Sequence, residues 1–425
     1  NFFTDVGHGC FRIIIRRRGL KKCILRFPTA QEPVFAIPAG SRQFRKGRQK
    51  TMPLVIRKAE SKADMKRFMM FPYVLYKNAR EWNGQLLLDR KLHFDRRKNP
   101  FFRHSPDVEF FLAERDGEVC GIICVLVNER HNSFHEENIA FFGHFEFVDD
   151  REVSRALFET AVEWARSRGK TALRGPASYS SNEEWGLLVD GFEHDNSIIM
   201  AWNFPYYKEH YESFGLVKAK DLISFSMDVT TAEVPEKVVR IAGKSMVRSG
   251  VSIRNVNKRK FADEVQRFRD LYNACWEKNW GFVPETDEEF SATAQGLRIL
   301  INPKVLFFVD NSEGRTVALQ LCLPDLAPVF KKIRYRLFPF GLFRLLAGRN
   351  KPKRLRLITT GILPDYRKIG IDAVLYSNML AAAKKMGVVS GDISWQLEDN
   401  FLINEAIRTM GGVLYKTHRV YDRTL

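Results

Sequence analysis

Alternating and helical patterns of apolar positions divide the chain, from residue 52 onward, into a regular series of strands and helices. The first part contains a strand in PLVIRKA, helical sequence over 60–90, a hairpin around the turn RDGE and a third strand in NIAFFGHFEFV. A helix is predicted over 151–168, because its apolar residues recur at helical spacing and form one stripe. A strand in KTALRGP, a short helix ending at Gly215 and a strand in LVKAKDLISFSMDV complete this part.

The same order of elements recurs after residue 229. A strand in VSIRNV precedes helices over 259–278 and 286–299, a hairpin surrounds DNSEG, and a strand in RLRLITTGIL leads into a helix over 370–386. The strand GVVSGDISW, a helix over 400–410 and a last strand in GVLYKTHRVYD follow. The recurrence lies in element order and not in sequence identity. It predicts two similar α+β domains, 52–228 and 229–425.

Positive charge is concentrated at the start of the chain. The 425 residues have a formal net charge of +18, and residues 1–51 carry twelve Lys and Arg against two acids, a balance of +10 that leaves +8 on the remainder. This first segment lacks Met, whereas Met52 opens a strand-helix sequence. We therefore expect a domain that begins at Met52, preceded by a basic extension that is disordered or a mis-assigned start; a basic targeting arm is the alternative. The overall charge favours an anionic partner: nucleic acid, acidic lipid or a phosphorylated cofactor.

The six cysteines show neither a disulfide framework nor zinc-ligand spacing, and no metal site is expected. Cys120 and Cys124, four apart in the apolar run EVCGIICVLV, are expected to share one face of a strand as buried, reduced thiols. Reduced thiols are typical of a cytoplasmic protein. No apolar stretch reaches the roughly 18 residues of a membrane span. The expected location is therefore the cytoplasm, with peripheral attachment to the inner membrane surface as an extension of that expectation.

The segment with the clearest chemistry is LRLITTGILPDYRKIGIDAVLYSNMLAAAKKMG, residues 355–387. A buried strand ends near Pro364, a short turn contains Arg367, Lys368 and Gly370, and an amphipathic helix starts at once. The first amides of a helix have no helical acceptors and lie at the positive end of its dipole. Together with the two cations and a glycine that allows close approach, they predict an anion site.

This segment resembles motif A of the GNAT superfamily of acyltransferases, Arg/Gln-x-x-Gly-x-Gly/Ala after a strand, with Asp372 in place of the last small residue. The resemblance implies two tandem GNAT-like domains, each a mixed, mostly antiparallel twisted sheet flanked by helices. It also implies acyl-CoA as substrate, with pantetheine between the motif A strand and a splayed next strand, where Gly391 could form a bulge. Since VDDREV lacks a glycine turn, only the second domain is expected to bind acyl-CoA. The residues assigned to acyl-CoA are Thr359, Thr360, Gly361, Ile362, Arg367, Lys368, Ile369, Gly370, Ile371, Asp372 and Asn404.

The stretches RGPASYSSNEEWGLLVDGF and WEKNWGFVPETDEEF resemble bacterial proteins related to the GNAT-type ceramide synthases. This resemblance implies an N-acyltransferase that joins a fatty acyl group to an amine acceptor such as a long-chain sphingoid base. An N-acetyltransferase acting on a soluble amine or protein is a second hypothesis. The third is a non-catalytic basic module that binds DNA or membrane, although the chain lacks a recognisable nucleic-acid motif and nucleic acid is the less favoured partner.

Thioester aminolysis needs an oxyanion donor, a base for the ammonium proton and an acid for the thiolate. An N–H at 360–362 is the expected donor, and Glu398 is the candidate base; alternatively, Glu398 simply begins the next helix. Thr409 and Met410 occupy the positions where GNAT enzymes carry a Tyr acid, so Tyr415, His418 and Tyr421 on the last strand are the substitutes; the alternative is that each is structural. His144 and His194 could line the substrate cleft or lie in the core.

Residues 331–356, KKIRYRLFPFGLFRLLAGRNKPKRLR, contain ten Lys and Arg and no acid, in a place where a tight turn would suffice. An apolar centre flanked by cations predicts a segment that lies on an anionic membrane surface. The alternative is that Phe338, Phe340, Phe343 and Leu346 pack on the domain itself and cover an acyl tunnel.

Overall fold

A single sheet of thirteen strands runs through the part of the chain that can be described. The computed structural model describes residues 52–425 and, before them, only three short strands, β1 (Thr4–Gly7), β2 (Cys10–Ile13) and β3 (Leu25–Pro28), which form a small antiparallel sheet. Residues 1–51 and 52–425 are two separate compact units. Apart from these strands, the predicted basic extension lies outside the described residues.

Strands and helices alternate through residues 52–425 much as the pattern predicts. The strands are β4 (Val55–Lys58), β5 (Val108–Arg115), β6 (Glu118–Leu126), β7 (Ile139–Phe147), β8 (Ala172–Gly175), β9 (Leu187–Asp190), β10 (Val217–Asp228), β11 (Val251–Asn255), β12 (Leu306–Asn311), β13 (Thr316–Pro324), β14 (Arg354–Ile362), β15 (Ser390–Leu397) and β16 (Val413–Thr424). The helices are α1 (Lys62–Leu75), α2 (Leu87–His93), α3 (Phe101–His104), α4 (Glu129–His135), α5 (Arg151–Arg166), α6 (Tyr206–Ser213), α7 (Glu236–Arg248), α8 (Phe261–Trp276), α9 (Asp287–Leu297), α10 (Ala327–Lys332), α11 (Gly341–Asn350), α12 (Ile371–Met386) and α13 (Phe401–Thr409).

The order of strands relates the two halves of the chain, 52–228 and 229–425. It is β11-β12-β13-β14-β15-β10-β16-β8-β7-β6-β5-β4, with β9 beside β16. Outward from the central β10–β16 pair, both arms follow the same chain order, and only β14–β15 and β7–β8 are parallel. The last strands are exchanged, because β10 of the first half pairs with β15 and β16 of the second half pairs with β8. The two predicted domains therefore share one sheet, and a boundary between 228 and 229 stays a prediction.

The helices repeat the same correspondence. α5 follows β7 as α12 follows β14, and α6 comes after β8 as α13 comes after β15, although the short strand β9 lies between β8 and α6. The apolar stripe predicted on α5 is buried against the sheet, with Leu157, Phe158 and Ala161 completely inaccessible. Burying each large side chain of this kind stabilises the fold by about 1.5–3 kcal/mol. This packing fixes α5 on the first arm, so its start can be compared directly with that of α12.

Candidate active site

The strand-turn-helix segment expected to bind phosphate has the expected form. β14 ends at Ile362, a 3₁₀ turn covers Pro364–Tyr366, and α12 begins at Ile371. Lys368 and Gly370 have left-handed backbones, with φ of 68° and 83°. The segment is therefore a sharp turn and not a continuous helix, which is the condition for unpaired amides at the start of α12.

Within residues 52–425, no side chain caps the start of α12. The cap residue is Gly370, and no capping hydrogen bond is formed. At the corresponding start of α5, by contrast, Asp150 Oδ1 accepts hydrogen bonds from the N–H groups of Glu152 at 2.9 Å and Val153 at 3.4 Å. The amides of α5 are satisfied by the protein, whereas those of α12 are available to an anion.

Charged side chains surround these amides. Arg367, Lys368 and Asp372 are exposed, and Arg367 Nε donates a hydrogen bond to Ile362 O at 3.1 Å. The two cations favour a phosphate. The carboxylate of Asp372, in the first turn, stabilises the helix dipole but opposes a bound anion. Ile369 and Ile371 pack into the hydrophobic core, so only their backbone could contact a ligand.

Gly370 also has a packing role. A Cβ at this position would lie 2.6 Å from Ala242 Cβ and 2.9 Å from Ala242 Cα. Ala242 belongs to α7, a helix that the sequence pattern did not predict, and it is buried against α12. The glycine is thus required both by its positive φ and by the close approach of a second helix.

β14 and β15 part halfway along their length. Their parallel pairing ends at Leu357 with Ile393, although β14 continues to Ile362 and β15 to Leu397. The register of β14 with β13 also shifts at Ile358, which has no partner there. From Ile358 onward, the edge of β14 that faces β15 therefore has backbone groups without a strand partner. We call the opening between these two strand ends the strand gap.

The irregularity of β15 lies further along than expected. Gly391 pairs regularly with Leu355 on one side and with Met227 on the other, so the expected bulge at Gly391 is wrong. The register with β10 shifts instead at Ser394 and Trp395. An extra residue fits only beyond the last pair with β14, because before that point β15 is held on both edges.

The corresponding gap in the first half is filled by the protein. The pairing of β7 with β8 ends at Phe141 with Arg174. Just beyond, the N–H of Ala177 donates a hydrogen bond to Phe142 O at 2.8 Å, and a Cβ on Gly143 would lie 1.8 Å from Ala177 O. The filled gap and the capped start of α5 both favour the expectation that only the second half binds acyl-CoA.

The strand gap opens into an apolar cavity of about 280 Å³. Ile358 and Thr359 of β14 and Trp395 of β15 form the wall beside the gap. The aromatic residues of the remaining wall are Trp185, Phe261, Phe268, Tyr272, Trp276, Trp280, Phe282, Phe290 and Phe308. A cavity with this lining suits an acyl chain.

A second, more polar cavity of about 610 Å³ adjoins the first, and we call it the acidic cavity. The two cavities share six wall residues: Asn182, Glu183, Ile199, Glu285, Thr293 and Leu297. The acidic residues along the second cavity are Asp89, Glu183, Glu184, Glu285 and Glu289, and its cations are Lys98 and Arg130. The apolar cavity thus lies directly beside a cavity that is lined by acidic side chains.

Burial raises the pKa values of four of these acids: Asp89, Glu183, Glu184 and Glu285. The pKa of Glu183 is well above its usual value because of burial and then the nearby charges of Glu285 and Glu184. Burial and the charge of Glu289 raise the pKa of Glu285 to about 8, and burial raises that of Asp89 to about 6. Burial thus favours the protonated form of these groups, and a cation in the cavity would favour their charged form.

The residues assigned to acyl-CoA at the end of β14 have different surroundings. Thr359 lines the apolar cavity, and its Oγ1 has no hydrogen-bond partner in the described part of the chain. Thr360 Oγ1 accepts a hydrogen bond from Gln320 Nε2 at 3.2 Å. Gly361 lies against Trp276, since a Cβ there would be 2.6 Å from the indole ring. Of these side chains, Thr359 is the one that faces the apolar cavity.

Glu398 and Asn404 both bind the chain itself. Glu398 Oε2 accepts a hydrogen bond from Lys218 Nζ at 2.6 Å, and its Oε1 accepts one from the N–H of Asp221 at 3.0 Å. Asn404 Nδ2 donates to Leu397 O at 3.0 Å and to Glu398 O at 3.3 Å. Neither residue lines the apolar or the acidic cavity. These contacts fasten the end of β15 to β10 and α13, and the assigned roles in catalysis and binding stay predictions.

Tyr415 and His418 lie on β16, outside the walls of both cavities. His418 Nε2 is 3.0 Å from Ala201 O, and burial lowers the pKa of His418 to about 3, so it is neutral. Burial and the charge of Asp392 raise the pKa of Tyr415. The structure therefore does not bring the three candidate catalytic residues together, and their roles also stay predictions.

Sequence reasoning did not single out the acids of the cavities. Glu183 and Glu184 lie in SSNEEWG, and Glu285 lies in VPETDEEF. Both stretches resemble ceramide synthase-related proteins, but that resemblance did not identify their acids. The available signal was the presence of acids beside Trp and Phe in both stretches, but nothing in the pattern showed that the two stretches meet.

Two bacterial proteins are similar to this chain over most of its length, although no family model matches it. It is 31% identical over 374 residues to the bacterial ceramide synthase of Caulobacter vibrioides, which covers 85% of this chain and 95% of that protein. It is also 29% identical to protein YghO of Escherichia coli K12 over 382 residues, which are 87% of this chain and 95% of that protein. Among solved structures, a tandem GNAT protein from the clavulanic acid biosynthesis pathway shares 10% identity with a TM-score of 0.51, over 88% of this chain and 98% of that one.

The paired arms of the sheet, the strand gap and the likeness to a solved tandem GNAT protein define a tandem GNAT fold of the N-acyltransferase type. The resemblance inferred from motif A is confirmed, and so is the mixed, mostly antiparallel sheet flanked by helices. Within this class, the chain belongs to the family of the bacterial ceramide synthase of C. vibrioides.

Proposed function

We propose that the protein is an acyl-CoA-dependent N-acyltransferase that moves a fatty acyl group from a CoA thioester to the amine of a long-chain base. The observation that carries this proposal is the uncapped turn before α12, next to a strand gap that leads into an aromatic cavity. The amides after Lys368 would hold the diphosphate, the gap would hold pantetheine, and the cavity would hold the acyl chain. A backbone N–H near Ile358, where the gap begins, is a better-placed oxyanion donor than the expected 360–362.

The acceptor is inferred from the acidic cavity. An amine that is protonated in water would be attracted to a space lined by five acidic residues and two cations. Because apolar and acidic spaces adjoin, a molecule with a cationic head and a long chain fits better than a small polar amine. The name of the C. vibrioides relative supports a sphingoid base.

We further propose that residues 331–356 contact an anionic membrane. Phe338, Phe340 and Phe343 are 61%, 70% and 60% exposed, so the alternative that they cover a tunnel from within is not favoured. Five of the ten cations are exposed: Lys332, Arg334, Arg344, Lys351 and Lys353. At about 1 kcal/mol each near an anionic surface, they would contribute roughly 5 kcal/mol.

Residues 331–356 begin directly after two residues that line the acidic cavity. Ala327 and Phe330 of α10 line that cavity, and Lys331 Nζ donates to the carbonyl oxygens of Ala79 and Arg80 at 3.0 and 2.7 Å. No helix in residues 52–425 is long and apolar enough to cross a bilayer. A surface contact beside the acidic cavity would let a membrane-borne amine reach the site.

The transfer is tested with the purified protein. Palmitoyl-CoA with sphinganine should give an N-acyl product by mass spectrometry, at a rate at least about 100-fold above that with acetyl-CoA. Product formed only from acetyl-CoA and a soluble amine such as spermidine would support the second hypothesis instead. Absence of both product and palmitoyl-CoA binding would overturn the enzyme proposal.

Membrane contact is tested by sedimentation with vesicles of equal parts phosphatidylglycerol and phosphatidylcholine. Exchanging Phe340 and Phe343 for Ser should reduce the bound fraction at least about fivefold, because both apolar contacts with the interface are lost. Leu402→Ser is the matched control, since Leu402 is 88% exposed on α13. Equal loss in the control, or binding that does not depend on anionic lipid, would contradict the proposal.

A further inference from the structure

A row of three titratable side chains lies at the wall of the acidic cavity. His93 Nδ1 is 3.4 Å from Glu183 Oε2, and His93 Nε2 is 3.0 Å from His144 Nε2. The His93 ring stacks on Tyr179 with centroids 4.3 Å apart and planes 10° apart, and His144 has a left-handed backbone with φ of 44° on β7. Packing and backbone hold this row in one arrangement.

Both imidazoles are neutral. Burial lowers the pKa of His93 to about 3, and burial lowers that of His144 well below its usual value. A neutral ring has one donor and one acceptor nitrogen. In one tautomer, His93 carries its proton on Nδ1, 3.4 Å from the Glu183 carboxylate, and His93 Nε2 accepts from His144. In the other, His93 Nδ1 lies unprotonated beside a protonated Glu183, and His93 Nε2–H donates to His144. The row therefore suits both protonation states of Glu183.

Glu183 lies at the junction of the two cavities. It belongs to the walls of both, and 35% of its side-chain surface is accessible although it sits deep in the protein, because it faces that space. Glu285, which also lines both cavities, has a buried Oε2 without a hydrogen-bond partner in the described residues. A carboxylate oxygen that is buried and unpaired beside a cavity indicates a missing cationic or donor group.

We propose that Glu183 binds the ammonium group of the acceptor amine and takes a proton from it, with His93 as its positioning residue. The inference rests on the proposed transferase function. Glu183, His93 and His144 all belong to the first half, whose own strand gap is filled. The half that has lost acyl-CoA binding would thus supply the acid-base chemistry for the half that keeps it.

The step is balanced as follows. The carboxylate of Glu183 removes one proton from the R–NH₃⁺ group, and the amine lone pair forms a bond to the thioester carbonyl carbon. The C–S bond then breaks and the electron pair leaves with sulfur. The second nitrogen proton is lost from the tetrahedral intermediate, and the CoA thiolate takes up one proton. The products are the amide, CoA–SH and the proton held by Glu183.

Glu183→Gln is the decisive variant. It should lower kcat for palmitoyl transfer to sphinganine by about 10²–10⁴-fold, the usual contribution of a positioned base. Palmitoyl-CoA binding, measured by titration calorimetry, should stay within about twofold, since the strand gap and α12 are untouched. Glu146→Gln is the matched control: Glu146 is a buried acid of the same half that accepts hydrogen bonds from Tyr76 and Tyr207 and lines neither cavity.

His93→Gln tests the positioning role through a pH profile. Loss of the Nδ1–H group beside the Glu183 carboxylate should raise the pKa of Glu183 and move the acid limb of kcat/KM to higher pH. The charged or titratable groups that also face Glu183 are Glu184, Glu285, Glu289, Asp89, Lys98 and Arg130, and all are unchanged in this variant. A merely structural role would lower kcat/KM without moving the limb.

The outcomes separate this inference from the proposed function. If the parent protein makes no N-acyl product, the transferase proposal fails. If it does, and Glu183→Gln binds palmitoyl-CoA normally but keeps kcat within about threefold, the assignment of Glu183 is wrong. Should Glu183→Gln fail to fold, Glu183→Asp replaces it: a shift of the acid limb relative to the parent supports the assignment, and an unchanged profile overturns it.

Discussion

Substitution of Gly370 offers the sharpest test of the turn before α12, because the same helix ends in a matched glycine. Gly370 and Gly387 have similar positive φ values, 83° and 74°, at the start and end of α12. Each Ala variant therefore incurs the left-handed penalty of roughly 1–2 kcal/mol. A Cβ at 387 has open space around it, whereas one at 370 would lie 2.6 Å from Ala242 Cβ. Relieving that overlap should cost a further 1–3 kcal/mol, roughly.

We therefore expect Gly370→Ala to lower the free energy of unfolding by about 2–5 kcal/mol, and Gly387→Ala by about 1–2 kcal/mol, in urea denaturation. Adding Ala242→Gly should recover part of the Gly370→Ala loss and nothing of the Gly387→Ala loss. Because the turn must move to relieve the overlap, palmitoyl-CoA affinity should fall at least about tenfold for Gly370→Ala. For Gly387→Ala it should stay within about twofold.

Equal palmitoyl-CoA affinity in the two variants, measured by calorimetry at concentrations where both are folded, would refute the assignment of the turn as an anion site. A stability loss as small for Gly370→Ala as for Gly387→Ala would instead refute the packing account of Gly370. The two readouts are independent, because one reports the position of amides and the other the contact between α7 and α12.

Three further predictions follow from single contacts. Asp150→Ala should lower the free energy of unfolding by about 0.5–2 kcal/mol at pH 7 without changing palmitoyl-CoA affinity. Burial tends to raise the pKa of Asp150, but the hydrogen bond from Arg115 outweighs it and the pKa is lowered. The difference in unfolding free energy between the parent and the variant should therefore shrink as the pH falls below about 3.9. Glu398→Gln should keep the rate of acyl transfer within about threefold of the parent. Loss of the ion pair with Lys218 should lower the free energy of unfolding by at most about 1 kcal/mol. A loss of transfer rate of 100-fold or more would instead support Glu398 as the base. Burial lowers the pKa of Lys416 to about 8, so above that pH the unfolded chain binds more protons than the folded protein. The free energy of unfolding should therefore rise between about pH 8 and 10.5. Denaturation of Lys416→Met should not show this rise.

The turn before α12 was predictable from sequence because its determinants are local. A buried strand, a glycine that must adopt a positive φ and an amphipathic helix follow one another between 355 and 387, and each has its own signature. α7 has a helical sequence too, but it carries exposed Val238, Ile241 and Val247 and buries little, so its pattern was weak. Its contact with Gly370 is a tertiary property that no local pattern contains.

Local irregularities defeated other expectations. Cys120 and Cys124 were expected on one face of β6, but they belong to different hydrophobic clusters, one with α5 residues and the other with α1 residues. The register of β6 with β5 shifts at Ala113 and Glu114, and its register with β7 shifts between Ile122 and Cys124. Because side chains alternate along a strand, one extra residue moves every later side chain to the opposite face. Sequence spacing alone does not reveal such a bulge.

The acidic cavity could not be predicted because its wall is assembled from distant segments. Residues 83–105, 178–184 and 283–300 meet there, and they come from both halves. Periodicity identifies which face of an element is buried, but not which element faces it. Composition identified the ten cations of 331–356, but it could not show which five of them are exposed, and the role of this insertion stays a prediction.

The strand exchange explains how residues of one half can serve a site in the other. β15, which forms one side of the strand gap, has β10 of the first half as its other neighbour, and β16 of the second half lies between β10 and β8. Residues 176–186, which carry Glu183, leave β8 beside β16 and return as β9, which pairs with the same strand. The position of Glu183 is therefore fixed to the second half by backbone hydrogen bonds rather than by a flexible interface. A chain cut between 228 and 229 would leave β15 without the partner on its far edge, so the strand gap depends on the half that is not expected to bind acyl-CoA.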